Sequence, residues 1–502
     1  MSPQFISAVT AAALLSDGAT VATDGFTMMG VAEEIYAAIE TRFLESAHPR
    51  DLVLVHASGQ SDQSLGLEHF AHDGLVSRVV GSHWGLMPRM SRFLRDEKAQ
   101  AVCLPQGQLS TLYRSIAGGR PGNLSHVGLG TFVDPRQEGG KVNDRSREGA
   151  PDYVELMRVD GEEWLFYRSF PISVALIRAT SVDEKGNCSN EEEAVHLDAL
   201  ALAQAARASG GMVIVQAKYL VANGGIPPKS VSVPGVLVDY VVVASDPEKS
   251  HRQTHSAVFD PAFVTAGATQ PWEAKEVTAR LQIGRRAARY LQAGDVVNVG
   301  TGIPGDVVGP ALAESGRLAD VTMTVESGVY GGLPAGGLDF GIARGPEAII
   351  THSTQFDFYN GGGLDATFMG VGQVDEAGNV NVSRLGRRLI GCGGFIDIVQ
   401  STRRVFFCFT MGGLHEKFVP RVDHLTFSAE QALRRGQEVR YVTERAVFLL
   451  TPAGLLLVEI AHGLDVERDV LSQIPFRVGV AENLALLPDM SETLIPEGGM
   501  NR

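Results

Sequence analysis

The sequence predicts an α/β fold in which two related domains each carry a mostly parallel sheet, and three observations support this. The first is alternation. Short β-branched runs, such as residues 52–55 (LVLV) and 296–299 (VVNV), are separated by stretches with apolar residues at helical spacing, such as residues 193–209. Strands that alternate with helices favour a parallel sheet. The second is the length of 502 residues, which favours more than one hydrophobic core.

The third observation is an internal repeat. Three segments of the first half, each a strand followed by a turn, recur in the same order in the second half: residues 17–26 (DGATVATDGF) match 294–303 (GDVVNVGTGI), residues 52–59 (LVLVHASG) match 321–328 (VTMTVESG), and residues 182–187 (VDEKGN) match 374–379 (VDEAGN). Ordered matches of this kind indicate two related domains. We place them at residues 1–268 and 269–502, because residues 263–273 lack periodicity and contain Gly and Pro.

Composition limits the classes of function. The net charge of −15 argues against a nucleic-acid partner. No run approaches about 18 apolar residues, so no membrane span is expected. The first residues lack the basic and apolar regions of a signal peptide. Four cysteines without a C-x-x-C pair favour buried thiols in a reducing compartment, hence a cytoplasmic protein. They are Cys103, Cys188, Cys392 and Cys408.

Glu326 is the main candidate for a chemical role. It follows a predicted strand, and the carboxyl ends of parallel strands are where α/β sheets place their sites. Position alone slightly favours an ordinary exposed glutamate. However, the matching residue of the first half is Ala57, so the fold does not require a carboxylate there. The glycines that follow, including Gly328, Gly331 and Gly332, would let a bulky ligand approach the backbone closely.

Three other segments are candidate ligand contacts. Gly300 and Gly302 form a Gly-rich turn between a strand and a helix, where backbone N–H groups can bind anions or phosphates. A purely structural tight turn explains them equally well. Gly370 and Gly372 form a Gly-x-Gly that, beside Glu326, indicates a backbone-lined slot. Gln106 follows a Pro at a predicted strand end. Its amide could stabilise an oxyanion, and a structural role in a turn is an equal alternative.

The histidines and one polar segment have simpler interpretations. His69 with His72, and His251 with His255, have metal-compatible spacings, but no third ligand of suitable context follows. Structural or surface histidines are therefore favoured, and no metal site is expected. Residues 134–151 are polar, charged and Gly-rich, which is typical of a surface loop. The functional alternative for that segment is a lid or a subunit-contact arm.

Several of these segments together resemble the class I coenzyme A transferases. Residues 324–334 (TVESGVYGGLP) resemble the glutamate motif of that family, and residues 17–30 resemble its amino-half signature, with Asp24 in place of a usual Gly and Ala32 in place of a usual Pro. The single-chain acetate/propionate type, with fused α-like and β-like halves, is the most similar subgroup. The segments that carry this similarity are residues 105–107, 356–365, 375–383 and 391–395.

The resemblance spans nearly the whole chain and implies the NagB/RpiA/CoA-transferase-like fold. It also implies a ping-pong mechanism with Glu326 as the covalent nucleophile and assembly as a homo-oligomer, a dimer or tetramer. The partners would be acyl-CoA and short-chain carboxylates, with coenzyme A as a substrate and no cofactor. We assign oxyanion or substrate contacts to Gln106, Gly370 and Gly372, and coenzyme A contacts to Gly300, Gly302, Gly328, Gly331 and Gly332.

Alternatives remain open at this point. An acyl-CoA hydrolase on the same scaffold would differ only in how well water is excluded. A sugar-phosphate-binding regulator of related fold leaves Glu326 without a role, whereas a sugar-phosphate isomerase would also use a carboxylate and anion-binding loops. The acyl chain length is not readable from the sequence, although some apolar residues are candidates for the acyl pocket: Leu333, Phe356, Phe358, Tyr359 and Phe368.

Overall fold

The computed structural model describes residues 2–267, 278–300, 302–412 and 416–487. Strands of the first half are β1 (Gln4–Phe5), β2 (Thr20–Thr23), β3 (Leu52–His56), β4 (Val76–Gly81), β5 (Gln100–Cys103), β6 (Gly122–Ser125), β7 (Val154–Val159), β8 (Glu162–Arg168), β9 (Val174–Asp183), β10 (Cys188–Ser189), β11 (Met212–Val221) and β12 (Tyr240–Val243). Its helices are α1 (Ala8–Ala13), α2 (Glu33–Ser46), α3 (Pro88–Arg95), α4 (Gln106–Ala117), α5 (Asp144–Gly149), α6 (Ala199–Ala208) and α7 (Pro247–Ser250).

The second half is similar in kind. Its strands are β13 (Val296–Val299), β14 (Thr322–Val325), β15 (Val329–Tyr330), β16 (Leu333–Pro334), β17 (Ala343–Arg344), β18 (Ala348–Ile349), β19 (Ala366–Gly370), β20 (Gln373–Val374), β21 (Val380–Asn381), β22 (Arg384–Leu385), β23 (Arg388–Leu389), β24 (Arg404–Cys408), β25 (Glu438–Val442), β26 (Ala446–Thr451), β27 (Gly454–Ala461) and β28 (Gly479–Leu487). Its helices are α8 (Ala279–Ala288), α9 (Ile303–Glu314), α10 (His352–Asn360), α11 (Phe395–Ser401) and α12 (Ala429–Arg434).

Each half is organised around one large sheet. The first has the order β1-β12-β11-β9-β2-β3-β4-β5, in which every neighbouring pair is parallel, and β10 adds an antiparallel pairing to β9. The second has the order β18-β15-β14-β13-β19-β24-β25-β26-β27-β28. Its central strands β14-β13-β19-β24-β25 are parallel. The predicted α/β fold with mostly parallel sheets is therefore confirmed.

The two sheets share one topology. The run β12-β11-β9-β2-β3 of the first sheet has the same order and direction as β25-β24-β19-β13-β14 of the second. Strand register then fixes equivalent residues. Val21 pairs with Val174 in the first half, and Val297 pairs with Ala366 in the second. The internal repeat is thus a repeat of structure as well as of sequence.

The register corrects one of the three sequence matches by a single residue. Thr20 lies opposite Val53 and Val296 lies opposite Thr322, so Val296 is equivalent to Thr20, whereas the sequence match placed it opposite Ala19. The connections that follow explain the slip. Helix α9 begins directly after its Gly turn, but α2 begins only at Glu33. Because the two connections differ in length, aligning the two sequences across them shifted the strand by one residue.

The last sequence match is reproduced bond by bond. In the first half, the Asp183 carboxylate accepts hydrogen bonds from the backbone and side-chain N–H groups of Asn187, both at 2.9 Å. In the second, Asp375 accepts the same pair from Asn379, at 2.9 and 3.1 Å. Gly186 and Gly378, which precede these two asparagines, have φ of +85° and +86°, a conformation that favours glycine. Both turns therefore owe their shape to the same three residue types.

The halves pack against each other through a common core. One cluster of buried apolar side chains includes Trp84 and Val102 of the first half together with Phe356 and Ile396 of the second. The proposed boundary between residues 268 and 269 lies outside the described residues and stays a prediction. All four cysteines are buried and unbridged, as the sequence indicated. In the described ranges, no helix has both the length and the apolarity needed to cross a bilayer.

Residues 134–151 are not a free loop. Asn143 caps α5 through a reciprocal pair of hydrogen bonds with Ser146. Glu138 reaches the second half, where its carboxylate lies 3.4 Å from Arg384 Nη2 and 3.5 Å from His424 Nε2. This segment therefore ties the two halves together within one chain, which neither the surface-loop nor the lid interpretation described.

Candidate active site

Glu326 is the first residue after β14, at the carboxyl end of that strand. The neighbouring strands β13 and β19 run parallel to β14, so the residues that follow them, Gly300 and Val371, reach the same edge of the sheet. Only 8% of Glu326 is exposed. The alternative of an ordinary exposed glutamate is therefore wrong, because the carboxylate is buried where the parallel strands end.

A cavity of about 630 Å³ opens between the two halves at this edge. It combines one carboxylate, two cationic side chains, one imidazole and many glycines with an apolar wall. Its lining residues are Phe26, Thr27, Gly59, Gln63, His83, Gly85, Leu86 and Gln106 of the first half, with Gly300, Gly302, Gly305, Glu326, Ala335, Gly336, Gly337, Leu338, Phe340, Met369, Gly370, Val371, Gly372, Val382, Leu385, Arg388, Ile390, Gly391, Cys392, Gly393, Gly394, Phe395 and Lys417 of the second.

The Glu326 carboxyl is held in a poorly solvated place. Burial raises its pKa to about 7, the attraction of His352 opposes that rise, and the carboxyl of Asp397 adds to it. A methyl group on Gly394 would lie 3.4 Å from Glu326 Cδ and Oε1, which is ordinary contact. Among the residues that the structure describes, none forms a hydrogen bond to this carboxylate. It is therefore a buried and available base facing a cavity.

Gln106 begins α4, directly after Pro105, and lines the cavity. Its backbone N–H donates to Gly393 O at 3.0 Å, which joins the start of α4 to the glycine segment of the second half. Its amide nitrogen lies 2.9 Å from His352 Nε2. Residue 106 is the first residue of the helix and not part of a turn, and its oxyanion role stays a prediction.

Asp397 also holds the start of α4 against the second half. Its carboxylate accepts hydrogen bonds from the Gly107 backbone N–H at 3.0 Å and from Gln108 Nε2 at 2.8 Å. Burial raises the pKa of Asp397 to about 6, against the opposing effect of these two donors. Because Asp397 lies on α11 of the second half and its donors on α4, it fixes the position of Gln106 relative to Glu326.

Four of the predicted glycines do line the cavity. Gly300 is needed for space, since a Cβ there would lie 2.6 Å from Met369 Sδ. Gly302 has φ of +78° and precedes α9, so the amino end of that helix faces the cavity. Gly370 also lines it, but the Gly372 N–H already donates to Asn381 O at 3.0 Å. Gly372 thus shapes the wall and is not a free oxyanion donor, which corrects the sequence assignment.

Gly328, Gly331 and Gly332 are not among the residues that line the cavity, and their assignment to coenzyme A stays a prediction. A Cβ on Gly328 would meet Ile350 O at 2.1 Å, and one on Gly332 would meet Arg344 O at 2.3 Å. These glycines have positive φ and let the segment after Glu326 pack directly on strands β17 and β18. Close approach of the chain to itself explains why these three positions are glycines, whereas Gly336 and Gly337 of the same stretch line the cavity.

The apolar residues suggested for an acyl pocket lie elsewhere. None of the five is among the residues that line the cavity; Phe356, Tyr359 and Phe368 are fully buried in the core. The apolar wall is formed instead by residues such as Phe26, Phe340 and Met369. Sequence proximity to Glu326 was a poor guide, because part of the wall, including Phe26 and Leu86, comes from the first half of the chain.

The paired histidines are structural. His69 Nε2 lies 2.7 Å from Glu33 Oε1, and His72 Nε2 lies 2.5 Å from Glu40 Oε1. His251 is buried against a carboxylate of the first half, and burial lowers its pKa to about 4. The structural interpretation preferred from the sequence is confirmed for these three residues.

Three cavity residues were missed by the sequence analysis. Arg388 Nη2 donates to Gly85 O at 3.1 Å, and Lys417 Nζ donates to Val371 O at 2.7 Å, so both cations border the cavity. His83 faces the cavity as a neutral ring, since burial and Arg388 lower its pKa to about 4. None of the three lies in a recognisable motif, and only their spatial grouping marks them.

Comparisons with known proteins agree with this geometry. Residues 5–244 match the model of the family described as coenzyme A transferase. The chain is 42% identical to the caffeate CoA-transferase of Acetobacterium woodii, covering 96% of each chain. It is 36% identical to the acetate CoA-transferase YdiF of Escherichia coli O157:H7, over 91% of this chain and 89% of that one.

A solved structure supports the same relationship. The apoenzyme of the acyl-CoA transferase YdiF from Escherichia coli O157:H7 superimposes with a TM-score of 0.90 at 35% identity, covering 97% of this chain and 95% of that one. A thioester complex of that enzyme with CoA gives a TM-score of 0.89. Sequence, fold and the carboxylate at the edge of the sheet thus agree. The chain belongs to the coenzyme A transferase family.

Proposed function

We propose that this enzyme moves coenzyme A between a short-chain acyl-CoA and a free carboxylate by a ping-pong mechanism in which Glu326 carries the coenzyme A. The observation that carries the proposal is the Glu326 carboxylate itself. It is buried at the carboxyl end of β14, faces a cavity of about 630 Å³, and has no hydrogen-bond partner among the described residues. A carboxylate in that environment suits attack on a bound electrophile.

The reaction proceeds in two exchanges. Glu326 attacks the thioester carbonyl, which gives a mixed anhydride and free coenzyme A thiolate. The thiolate then attacks the γ-carbonyl of Glu326, which releases the first carboxylate and leaves a glutamyl-CoA thioester. A second carboxylate reverses these steps and leaves as the new acyl-CoA. One thioester replaces another, so the exchange needs no external energy source.

Burial has a useful effect on the nucleophile. A pKa of about 7 makes the Glu326 carboxylate more basic than an ordinary glutamate, and basicity favours nucleophilic attack. The same burial limits the fraction that is ionised near neutral pH. The rate of the first step should therefore increase with pH until the carboxylate is fully formed.

The surrounding groups support the two negative charges involved. We assign the Gln106 amide to the developing oxyanion, where a single donor typically contributes about 3–4 kcal/mol. Arg388, Lys417 and the amino end of α9 at Gly302 are the groups of the cavity that can meet the phosphates of coenzyme A. The apolar wall, including Phe340, limits access of water to the anhydride.

Mass spectrometry of protein incubated with acetyl-CoA and no acceptor tests the proposal. We expect a coenzyme A adduct on the peptide that contains Glu326, with release of one equivalent of acetate and loss of the adduct on borohydride treatment. Glu326→Ala should carry no adduct. Full transferase activity in that variant, or an adduct on another residue, would contradict the proposal.

The same incubation separates transferase from hydrolase activity. A transferase accumulates the adduct and releases little free coenzyme A; an added acceptor carboxylate then removes the coenzyme A as a new acyl-CoA. Continuous release of free coenzyme A at the transfer rate would instead show a hydrolase. Adding acetate, propionate or caffeate as acceptor then identifies the acyl groups, since one relative is named for acetate and another for caffeate.

A further inference from the structure

His352 is buried behind the cavity, and both of its ring nitrogens have partners. It is the first residue of α10 in the second half and is only 1% exposed. Its Nδ1 lies 2.7 Å from Asp198 Oδ2, and its Nε2 lies 2.9 Å from the amide nitrogen of Gln106. His352 does not line the cavity. Any influence on a bound substrate must therefore pass through Gln106 or act through its charge.

Asp198 is itself rigidly held. Its second carboxylate oxygen accepts a hydrogen bond from Ser110 Oγ at 2.6 Å. Its backbone N–H donates to Asp24 Oδ1 at 3.2 Å. These contacts place Asp198, at the start of α6, against α4 and against the loop that follows β2. The carboxylate that fixes His352 Nδ1 thus cannot rotate away without breaking contacts to two other elements.

The charges around His352 favour its protonated form. The groups that face it are Asp198, Asp24, Glu326 and Asp397. Burial lowers the pKa of His352, but the first three carboxyl groups more than offset this, so the pKa lies above its ordinary value. Burial and the neighbouring Asp198 raise the pKa of Asp24, which weakens the share of Asp24 in this attraction. Asp198 is then the main counter-ion of the imidazolium.

The protonation state of His352 decides which end of the Gln106 amide faces the cavity. A neutral ring that donates from Nδ1 to Asp198 accepts at Nε2, so the amide NH₂ turns toward the ring and the amide oxygen toward the cavity. An imidazolium has an N–H on both nitrogens and needs the amide oxygen at Nε2. The amide then rotates by about 180°, and both of its N–H groups point toward Gly393 and the cavity. In the structure that side is occupied by Gln106 Oε1, which lies 3.6 Å from the position that a Cβ on Gly393 would take.

We propose that His352, held by Asp198, is a positioning residue that turns the N–H groups of the Gln106 amide into the cavity, where they meet the oxyanion of the reaction. This rests on the proposed function, because it assumes that Gln106 is the oxyanion donor for attack by Glu326. The arrangement crosses the two halves twice: α10 of the second half supplies the histidine, and α4 and the start of α6 of the first supply its two partners.

A double-mutant cycle on the full-length enzyme tests the proposal, with the rate constant of adduct formation from acetyl-CoA as the readout. Gln106→Ala should lower it by about 10²- to 10³-fold. His352→Gln should lower it by about 10- to 100-fold, a part of the same effect, with a change in KM below about twofold. If His352 acts through Gln106, the double variant is no slower than Gln106→Ala alone.

The pH profile provides a second readout that a merely structural role would not change. In the wild-type enzyme, the imidazolium is lost as pH rises through the pKa of His352, so adduct formation should decline on the alkaline side. His352→Gln carries no titrating group and should lack that decline. His251→Gln is the matched control, because His251 is also buried against a carboxylate, Glu193, but outside the cavity; it should keep the wild-type rate and profile.

The outcomes are distinguishable. Independent, multiplicative effects of the two substitutions would overturn the proposal, and so would an unchanged alkaline limb in His352→Gln. If His352→Gln does not fold, Asp198→Asn takes its place in the cycle, since it keeps the ring and removes its counter-ion. Absence of any adduct in the wild-type enzyme, or an adduct that persists in Glu326→Ala, would refute the proposed function instead.

Discussion

One position is equivalent in the two halves but carries different residues, Ala57 in the first and Glu326 in the second. Strand β3 ends before Ala57-Ser58, and β14 ends before Glu326-Ser327. In each, the serine hydroxyl donates to a glycine carbonyl of its own half. Ala57 is 5% exposed and Glu326 is 8% exposed, so the two sites are equally buried. The scaffold therefore tolerates a small apolar residue there, and we infer that the carboxylate serves the proposed reaction.

The comparison also shows what the carboxylate costs. A methyl group at Ala57 is buried without penalty, whereas burial raises the Glu326 pKa from its ordinary value of 4.5 to about 7. That difference corresponds to about 3 kcal/mol in favour of the protonated, unreactive form. Stability and reactivity are opposed at this position.

Removing the carboxylate should have the largest effect. Glu326→Ala makes the second half resemble the first, and we expect transferase activity to fall by on the order of 10⁵-fold. Adding Ala57→Glu to that variant restores a carboxylate at the equivalent position of the first half. It should not restore activity, because Ala57 does not line the cavity. Steady-state rates with acetyl-CoA and propionate measure both effects.

Thermal unfolding of the same variants is the control. Both proteins must unfold cooperatively for the activity loss to be read as chemical. Recovery of even a small part of the activity in the double variant would break the comparison, since it would show that either strand end can present the nucleophile to the substrate.

The sequence located the carboxylate but could not locate its surroundings. Glu326 and Gln106 follow strand ends, which local patterns identify. His352 meets Asp198 and Gln106 across 154 and 246 residues of chain, and no local pattern encodes such a meeting. The glycines after Glu326 show a related limit: a glycine indicates that space is needed, but only the fold shows that Ile350 and Arg344 fill it.

The next effect concerns Gln106 of the first half, the donor that we propose for the reaction of Glu326 in the second half. Gln106→Ala should lower kcat by about 10²- to 10³-fold because the oxyanion loses a hydrogen-bond donor. Gln106→Glu keeps the shape of the side chain but has no N–H to donate, so its kcat should be reduced by at least the same factor. Binding of the acyl-CoA, measured as the Kd in Glu326→Ala background, should change little in either case.

The third prediction measures the energetic difference between the two equivalent sites. Glu326→Gln should be more stable than the wild-type protein by about 3 kcal/mol at pH 8 and equally stable near pH 4. Below 4.5 the carboxyl is protonated in both folded and unfolded chains. As pH rises through 4.5 the unfolded chain ionises first, so the wild-type protein loses stability until the folded pKa of about 7 is passed.

Urea unfolding of both proteins between pH 4 and pH 8 measures this difference. Taking the difference between the two proteins at each pH cancels the contributions of the titrating groups that do not interact with Glu326. Equal stability at pH 8 would mean that the buried carboxylate is compensated by contacts, and the contrast with Ala57 would then be one of chemistry alone.

The smallest effect tests where the halves remain alike. Asp183→Asn and Asp375→Asn each weaken the same turn, in which one carboxylate accepts two hydrogen bonds from an Asn four residues later. Each should cost about 1–2 kcal/mol of unfolding free energy, and the two costs should agree closely. Neither turn lines the cavity, so kcat should not change. If one substitution reduced kcat while the other did not, the turn of that half would have a role in the reaction. The two halves would then differ in function at that turn as well as at Glu326.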